Sequence, residues 1–258
     1  MVLAAGRGSR LAPLTRELPK PLCPVGNRPL LDLALERLGP VCGGASEVAV
    51  NLHHGAAAIA AHLEGSTSWA AVHPSHERDR PLGTAGALGH LRGWLDGRAA
   101  LVVNADAWTT ASPDVLVADW DGERPRVLVV GGEFGPAASV AAALVPWPVI
   151  AALPDGPCGL YERVWAHHAA AGTLEVVCCD DPFVDCGTPA RYLRANLHSS
   201  GGAAVVDPTA VVRGSLERAV VWAGAEVAAG ERLVDAVRTS AGQTVLVRRG
   251  HRRASATP

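Results

Sequence analysis

The sequence predicts an α/β fold with a largely parallel sheet, followed by a short C-terminal segment of repeated β-structure. From Met1 to about Asn196, short β-rich apolar runs alternate with Ala/Leu-rich stretches of helical character, a pattern typical of parallel α/β domains. After His198, the sequence SSGG indicates a linker, beyond which apolar positions recur every six residues. We therefore predict one domain over residues 1–200 and a different β-structure after it.

Within residues 1–200, five apolar runs predict strands and four stretches predict helices. The strands are expected at residues 2–5, 47–51, 99–104, 126–130 and 174–178. The helices are expected at residues 29–38, 56–64, 86–95 and 163–171. Pro29 favours the start of the first helix, because the donor that proline lacks would have no partner there.

In the C-terminal segment, the apolar positions with this spacing are Val206, Val212, Val221, Val227 and Leu233. A period of six with glycine or alanine in between is the hexapeptide pattern of a left-handed β-helix, which we predict for residues 201–247. A small β-layer with two covered sides is the alternative. Residues 248–258 form a basic tail that we predict to be disordered.

Composition and charge exclude several classes of protein. A chain of 258 residues can bury a large core without disulfides or structural metals. A net charge of −2 provides no basis for attraction to nucleic acid or to anionic membranes. No apolar run approaches the roughly 20 residues that span a bilayer, and the N-terminus lacks the features of a signal peptide. We predict a soluble, cytoplasmic protein with neither nucleic acid nor membrane as a partner.

The cysteines and the single lysine also carry information. The six cysteines form no CxxC pair, and no histidine lies at zinc-finger spacing, which favours free thiols. Lys20 is the only lysine, whereas every other basic residue is an arginine.

A glycine-rich loop follows the first predicted strand. Gly6 and Gly8 lack a Cβ, so that backbone donors can approach a triphosphate closely. Arg7, Arg10 and Lys20 can bring positive charge to the same phosphates. By itself the pattern GxG also fits a Rossmann turn or a plain tight turn.

The dinucleotide-binding alternative does not fit the residues that follow. The third glycine of that fingerprint is absent, with Leu11 in its neighbourhood. The chain then continues not into a helix but through a series of prolines: Pro13, Pro19, Pro21 and Pro24. Proline stiffens such a segment, so an extended loop can hold Lys20 over bound phosphates.

The run GRGSRLAPLTRELPKPLCPVGNRPLL resembles the signature of the sugar-1-phosphate nucleotidyltransferases, the pyrophosphorylases that make nucleoside-diphosphate sugars. The resemblance implies a Rossmann-like fold and an enzyme that transfers a nucleoside monophosphate from a nucleoside triphosphate (NTP) to a sugar 1-phosphate, releasing pyrophosphate. It implies that Arg10 and Lys20 stabilise charge during transfer. It also implies that the nucleotide is bound by Leu3, Ala5, Gly6 and Gly8.

Two further segments are similar to that family in their order along the chain. The segment AVNLHHGAAAIAAHL is similar to the mannose-type and muramic-acid-type branches, with His53 and His54 as local structure or rim contacts rather than metal ligands. The segment PLGTAGAL is similar to the base-recognition turn, which implies that Gly83 and Thr84 lie beside the nucleobase. Taken alone, it would predict a helix start with Thr84 as the cap.

A third similarity implies a metal site. The segment LVVNADAW has Asp106 just beyond a predicted strand, and PFVDCGTPARYLRAN has Asp185 before a turn that opens a helix. Carboxylates at strand ends are the ligands that Mg²⁺ prefers when it also binds phosphates. The resemblance implies that Asp106 and Asp185 hold Mg²⁺; without it, each would be read as a turn or cap residue.

The chain departs from the family pattern at two places. Ala105 stands where the family usually has glycine, and a positive φ there would cost on the order of 1 kcal/mol. The Glu-Lys-Pro segment that reads the acceptor sugar has no match between Trp108 and Cys178. The glutamates near that region are Glu123, Glu133, Glu162 and Glu175.

The sequence therefore identifies neither the nucleobase nor the acceptor sugar. The missing segment leaves a second hypothesis, that of a catalytically degenerate relative that binds nucleotide as a regulatory or partner subunit. In members of the family that this chain resembles, a β-helical extension commonly mediates oligomer contacts or carries a second activity. Because the sequence has no acyltransferase histidine motif, we expect the C-terminal segment to take a packing or assembly role in a homo-oligomer.

Overall fold

The computed structural model describes residues 1–154 and 156–247, and the predicted disordered tail lies outside them. The strands are β1 (Val2–Leu3), β2 (Pro24–Val25), β3 (Arg28–Pro29), β4 (Ala49–Leu52), β5 (His73–His76), β6 (Ala100–Asn104), β7 (Ala107–Thr109), β8 (Arg126–Val130), β9 (Ser139–Val145), β10 (Glu175–Cys179), β11 (Phe183–Asp185), β12 (Val205–Val206), β13 (Val211–Val212), β14 (Ser215–Val221), β15 (Glu226–Val227), β16 (Arg232–Arg238) and β17 (Thr244–Leu246).

The helices lie between these strands, and one turn of π-helix covers Tyr161–Trp165. The α-helices are α1 (Leu30–Leu38), α2 (Ala56–Glu64), α3 (Gly83–His90), α4 (Arg92–Leu95), α5 (Trp147–Ala151), α6 (Ala166–Ala170) and α7 (Pro189–Ser199). Among the described residues, no helix has the length and apolar character that crossing a bilayer requires.

A seven-stranded sheet in the order β10-β8-β9-β6-β1-β4-β5 forms the centre of the fold. Strand β1 lies in its middle and pairs in parallel with β4 and β6. Only β9 runs antiparallel to its neighbours, β6 and β8. The prediction of a mostly parallel sheet is therefore confirmed, and the carboxyl ends of β1, β4 and β6 meet at one edge, where open α/β sheets bind ligands.

The predicted strands and helices are all present; β8 and α2 have the predicted ends, and the others have shifted ends. The helix expected over residues 86–95 is two helices, α3 and α4, and the one expected over residues 163–171 consists of the π-turn and α6. Strands β5 and β9 were not predicted, because their sequences HPSH and SVAAALV are rich in residues with low strand propensity.

The main core lies between the central sheet and helices α1 and α2. Helix α1 has its apolar residues at the three- and four-residue spacing of an amphipathic helix. Its buried face consists of Leu30, Leu31, Ala34, Leu35 and Leu38. A second cluster packs α3, α4 and α5 against the sheet and includes Leu88, Leu95 and Ile150. Both sides of the sheet are thus covered, as a mostly parallel sheet requires.

The C-terminal segment forms two short parallel ladders. Val206 pairs with Val221 in the first ladder, and Val212 pairs with Val227 in the second. The apolar residues that recur every six positions therefore alternate between two ladders. The first ladder contains β12, β14 and β16, and β17 pairs antiparallel with β16 at its edge.

This segment packs against α7 and against the loop that follows β1. The buried indole of Trp222 donates a hydrogen bond to the Tyr192 hydroxyl over 3.0 Å, and that hydroxyl donates to the backbone carbonyl of Pro24. Val205, Val220 and Val237 belong to the same cluster of buried residues as Leu11, Leu14 and Val25. Residues before and after position 200 therefore share a core.

Candidate active site

The loop of residues 4–23 leaves the carboxyl end of β1 and passes through three short 3-10 turns. Gly8 has a φ of 62°, in the left-handed region, and a Cβ there would lie 3.0 Å from Lys20 Cβ. Both the backbone and the close approach therefore require glycine at this position. Leu11 and Leu14 are fully buried and anchor the loop to the fold.

Lys20 is the centre of the site. Its side chain is only 6% exposed, and its Nζ lies 3.0 Å from Asp106 Oδ2 and 3.4 Å from Asp185 Oδ1. A buried ammonium group needs such partners, because its desolvation is otherwise very costly. The only lysine of the chain thus bridges the two predicted metal-binding aspartates.

A strand pair brings the two aspartates together. Asp106 lies between β6 and β7, and Asp185 ends β11, which pairs antiparallel with β7. In this register Asp185 faces Ala107, and the N–H of Cys186 donates to the Asp106 carbonyl over 3.0 Å. The convergence of Asp106 and Asp185 therefore follows from backbone pairing between segments that are distant in sequence.

Two arginines approach Asp185. Arg191, at the start of α7, donates from Nη1 to Asp185 Oδ2 over 2.6 Å. A Cβ on Gly187 would lie 2.9 Å from Asp185 Oδ1 and 3.3 Å from Arg10 Nη2. Gly187 therefore leaves free space beside both the Asp185 carboxylate and the Arg10 guanidinium. Sequence reasoning did not identify Arg191, although it lies within the string that contains Asp185.

Two adjoining cavities meet at this charged group. The smaller, of about 370 Å³, is lined by the following predicted residues: Leu3, Ala5, Gly6, Gly8, Arg10, Lys20, Gly83, Thr84 and Asp106. The larger, of about 740 Å³, shares Leu3, Gly83, Thr84 and Asn104 with it and is also lined by Asp185 and Arg191. Asp106 and Asp185 thus lie on different cavities and are joined by the ammonium of Lys20.

A buried polar network that sequence reasoning missed supports the smaller cavity. Asn51 Oδ1 accepts from the N–H of Ala4, and its Nδ2 donates to Glu77 Oε1, each over 2.7 Å. Glu77 Oε2 accepts from the N–H of Leu82 over 2.7 Å. The network links the loop after β1 to the turn before α3. A polar residue inside the buried run of β4 is the only sequence signal for it.

His53 is a structural contact, as predicted. Its Nδ1 lies 2.7 Å from the backbone carbonyl of Glu77, to which it donates. Among the described residues, no cluster of three or more His, Cys, Asp or Glu side chains is arranged to hold a metal.

The turn at Gly83 and Thr84 is fitted to a second loop. Gly83 has a φ of 71°, and a Cβ there would lie 2.6 Å from the backbone oxygen of Cys158. Thr84 Oγ1 accepts from the N–H of Leu160 over 2.7 Å. A helix does start here, as predicted, but Thr84 is the second residue of α3 rather than its cap, and its hydroxyl accepts from the loop at residues 158–160 instead.

Ala105 introduces no strain at the metal-site segment. It is fully buried, and it is not among the residues with a positive φ in the described part of the chain. The strain that alanine would cause at a left-handed position is therefore absent, and alanine is compatible with this backbone.

Two buried thiols flank the charged group. Burial raises the pKa of Cys23 and of Cys186 to about 12. Both thiols are therefore neutral at physiological pH, and they add no negative charge beside Lys20.

Residues 1–133 match the nucleotidyl transferase family. The chain is 30% identical over 230 residues to N-acetylmuramate alpha-1-phosphate uridylyltransferase of Caulobacter vibrioides. This alignment covers 76% of this chain and 94% of that protein. It is also 30% identical over 111 residues to mannose-1-phosphate guanylyltransferase of Mycobacterium tuberculosis, covering 43% of this chain and 30% of that protein.

The fold is shared with solved structures. HddC from Yersinia pseudotuberculosis, complexed with GMP-PN, has a TM-score of 0.59 and 16% identity over 77% of this chain and 97% of that chain. The shared fold is consistent with a Rossmann-like arrangement. The nucleotidyl transferase family matches the first half of the chain, and the alignment with the Caulobacter relative covers 94% of that protein. The chain therefore belongs to the nucleotidyl transferase family and, within it, to the sugar-1-phosphate nucleotidyltransferases that its signature run predicted.

Proposed function

We propose that the protein transfers a nucleoside monophosphate from an NTP to a sugar 1-phosphate in the two adjoining cavities. The observation that carries this proposal is the contact of Lys20 with Asp106 and Asp185 where the cavities meet. The nucleotide would occupy the smaller cavity and the sugar phosphate the larger one. Both substrates are anions, so a buried cation between them favours their approach.

In the proposed reaction, a phosphate oxygen of the sugar 1-phosphate attacks the α-phosphorus of the NTP. The bond from the α-phosphorus to its bridging oxygen breaks, and pyrophosphate leaves in line with the attack. Backbone donors of residues 6–8 and the Arg10 guanidinium would neutralise the triphosphate. Lys20 would draw the two anionic groups together. Positioning and charge neutralisation supply the catalysis, because no covalent intermediate is needed.

The residues present fit a divalent ion. The carboxylates of Asp106 and Asp185 approach one ammonium nitrogen at 3.0 and 3.4 Å, which is close enough for both to contact one cation. Two carboxylates completed by phosphate oxygens and water are a typical Mg²⁺ environment. We propose that these two residues hold Mg²⁺, which when bound would offset the negative charge of the phosphates.

We propose that Gly83 and Thr84 face the nucleobase and that Leu3 and Ala5 also contact the nucleotide in the smaller cavity. All four residues line it. The relative that this chain matches over most of its length is named an N-acetylmuramate 1-phosphate uridylyltransferase. UTP with N-acetylmuramate 1-phosphate is therefore the first substrate pair to test, with GTP and mannose 1-phosphate as the second.

The alternative of a catalytically degenerate nucleotide-binding subunit is not favoured. A module that only binds nucleotide has no need for both metal-binding carboxylates and a bridging ammonium. Arg10, Lys20, Asp106 and Asp185 lie together, and the named relatives are transferases.

We further propose a cytoplasmic enzyme whose C-terminal ladders are a short β-helix-like segment that contributes to a homo-oligomer. All six cysteines are free thiols, which is typical of a reducing compartment. The parallel pairs of Val206 with Val221 and of Val212 with Val227 are those expected for stacked coils. Size-exclusion chromatography with light scattering measures the oligomeric state directly.

A substrate screen tests the proposed reaction. The purified chain is mixed with Mg²⁺, each of four NTPs and a panel that contains the 1-phosphates of N-acetylmuramate, mannose and glucose, and pyrophosphate release is measured. We expect one pair to give sustained release together with the nucleoside-diphosphate sugar, identified by mass spectrometry. Absence of release with every pair would contradict the proposed function.

A further inference from the structure

One wall of the larger cavity carries polar groups that have no protein partner. The wall is the π-helical turn Tyr161–Trp165, of which Tyr161, Glu162 and Trp165 line the cavity. The indole Nε1 of Trp165 is buried without a hydrogen-bond partner. Tyr161 is half-buried and Glu162 is exposed, and in the part of the chain that the structure describes neither polar group has a protein hydrogen-bond or ion-pair partner.

These features together point to a ligand. A buried donor without an acceptor is rare in native proteins and costly, and an oxygen of a bound molecule removes that cost. Turns of π-helix are also rare and frequently occur at functional sites. The ring of Tyr161 is held by stacking on Phe134, with 6.1 Å between the ring centroids. The wall is thus an ordered surface with free donors and acceptors.

The wall differs in charge from another part of the lining of the same cavity. Arg191 lines the cavity beside Asp185, near the buried ammonium of Lys20, and these cations suit a phosphate group. A carboxylate such as that of Glu162 instead repels phosphate and accepts hydrogen bonds from hydroxyl groups. A molecule with a phosphate at one end and hydroxyls at the other fits this arrangement.

We propose that Tyr161, Glu162 and Trp165 form the subsite that selects the acceptor sugar, with Glu162 accepting hydrogen bonds from its hydroxyls. The indole N–H of Trp165 and the Tyr161 hydroxyl donate to sugar oxygens. This inference rests on the proposed function and deepens it.

Two conservative variants test the subsite. Tyr161→Phe removes only the hydroxyl, and Glu162→Gln removes only the charge, with the substrate pair of highest turnover from the screen as the probe. We expect each variant to raise the KM for the sugar phosphate roughly tenfold or more, the loss typical of one good hydrogen bond. The KM for the NTP stays unchanged, because the smaller cavity is not altered.

Glu133→Gln is the matched control, since this exposed glutamate lines neither cavity and undergoes the same chemical change. A series of sugar phosphates that each lack one hydroxyl sharpens the test. The analogue that lacks the hydroxyl bound by Glu162 binds equally to the wild type and to Glu162→Gln. Trp165→Phe, which removes the indole donor, is a second variant in case one of the others fails to fold.

Saturation-transfer NMR measures the binding of the sugar 1-phosphates without any turnover. It therefore tests the subsite independently of the proposed reaction. Equal affinity of the wild type and the folded variants overturns the subsite, whether or not turnover occurs. Weaker binding by the variants supports it. Absence of turnover in the wild type with every substrate pair contradicts the proposed function instead.

Discussion

Lys20 combines burial, charge and position in a way that the other cationic side chains lining the two cavities do not. The sequence singled it out as the only lysine and as part of a signature run, but its burial and its two carboxylate partners depend on residues far along the chain. An ammonium in this place is a preorganised charge, and such groups are worth more in a water-poor site than in bulk water. Its substitution is therefore the most direct test at the scale of one residue.

We predict that Lys20→Ala lowers kcat by at least roughly two orders of magnitude, because one preorganised electrostatic contact is lost. Steady-state pyrophosphate release measures the effect. Arg16→Ala is the control, since this exposed arginine belongs to the same loop but lines neither cavity, and its turnover stays near that of the wild type. A near-normal rate for Lys20→Ala removes this residue from the proposed mechanism.

Asp185 provides a second test at this scale that does not depend on turnover. Asp185→Asn neutralises one of the two proposed metal-binding carboxylates, so Mn²⁺, used in place of Mg²⁺, should bind at least roughly tenfold more weakly. Electron paramagnetic resonance of free Mn²⁺ measures the affinity. Asp180→Asn, at an exposed aspartate of the same region, should leave it unchanged. Equal affinity in both variants would argue against a metal at Asp185.

At the scale of elements, the site depends on connections between loops at the end of the sheet. The loop after β1 and the turn before α3 come from different parts of the chain, and Asn51 and Glu77 join them through three hydrogen bonds of 2.7 Å. The individual strands β1, β4 and β6 were predictable from their apolar runs. The network was not, because β5, which precedes Glu77, has no strand-like composition.

We predict that Glu77→Gln lowers the free energy of unfolding by about 1–3 kcal/mol, because the amide N–H₂ of glutamine faces one of two buried donors and leaves it unsatisfied. Urea denaturation measures this change. The KM for the NTP should also rise, since the turn at Gly83 loses a support. Glu64→Gln, at an exposed position, is the control. An unchanged unfolding free energy would show that the network adds no stability.

At the scale of the whole molecule, the C-terminal ladders and the loop of residues 4–23 form one packed unit. Trp222 is 1% exposed and donates to the Tyr192 hydroxyl, which donates to the carbonyl of Pro24, the residue directly after the loop. The N–H of Ala241 also donates to Glu17 Oε1 over 3.0 Å. The division of the chain near residue 200 remains a prediction, but the packing indicates that the two parts stabilise each other.

Trp222→Ala should lower the free energy of unfolding by about 3–5 kcal/mol, the usual cost of removing a large buried aromatic side chain. Because the loop loses its support, we also expect faster hydrogen exchange at the amides of Leu22 and Cys23, which bond within it. Val211→Ala, at a half-exposed valine of the same segment, should change neither quantity. Unaltered exchange in Trp222→Ala would contradict the coupling.

The order of amino acids alone predicts the α/β class and the glycine-arginine loop with Arg10 and Lys20, because these depend on local composition and on a continuous signature. It also predicts Asp106 and Asp185 as site residues, each from a separate short segment. The meeting of Asp106 with Asp185, the support by Glu77 and the cavity wall at Tyr161–Trp165 follow from pairing and packing between distant segments. Such contacts leave no local pattern, since each partner is ordinary in its own stretch of chain. For this reason the substrate-facing chemistry can be located only once the chain has folded.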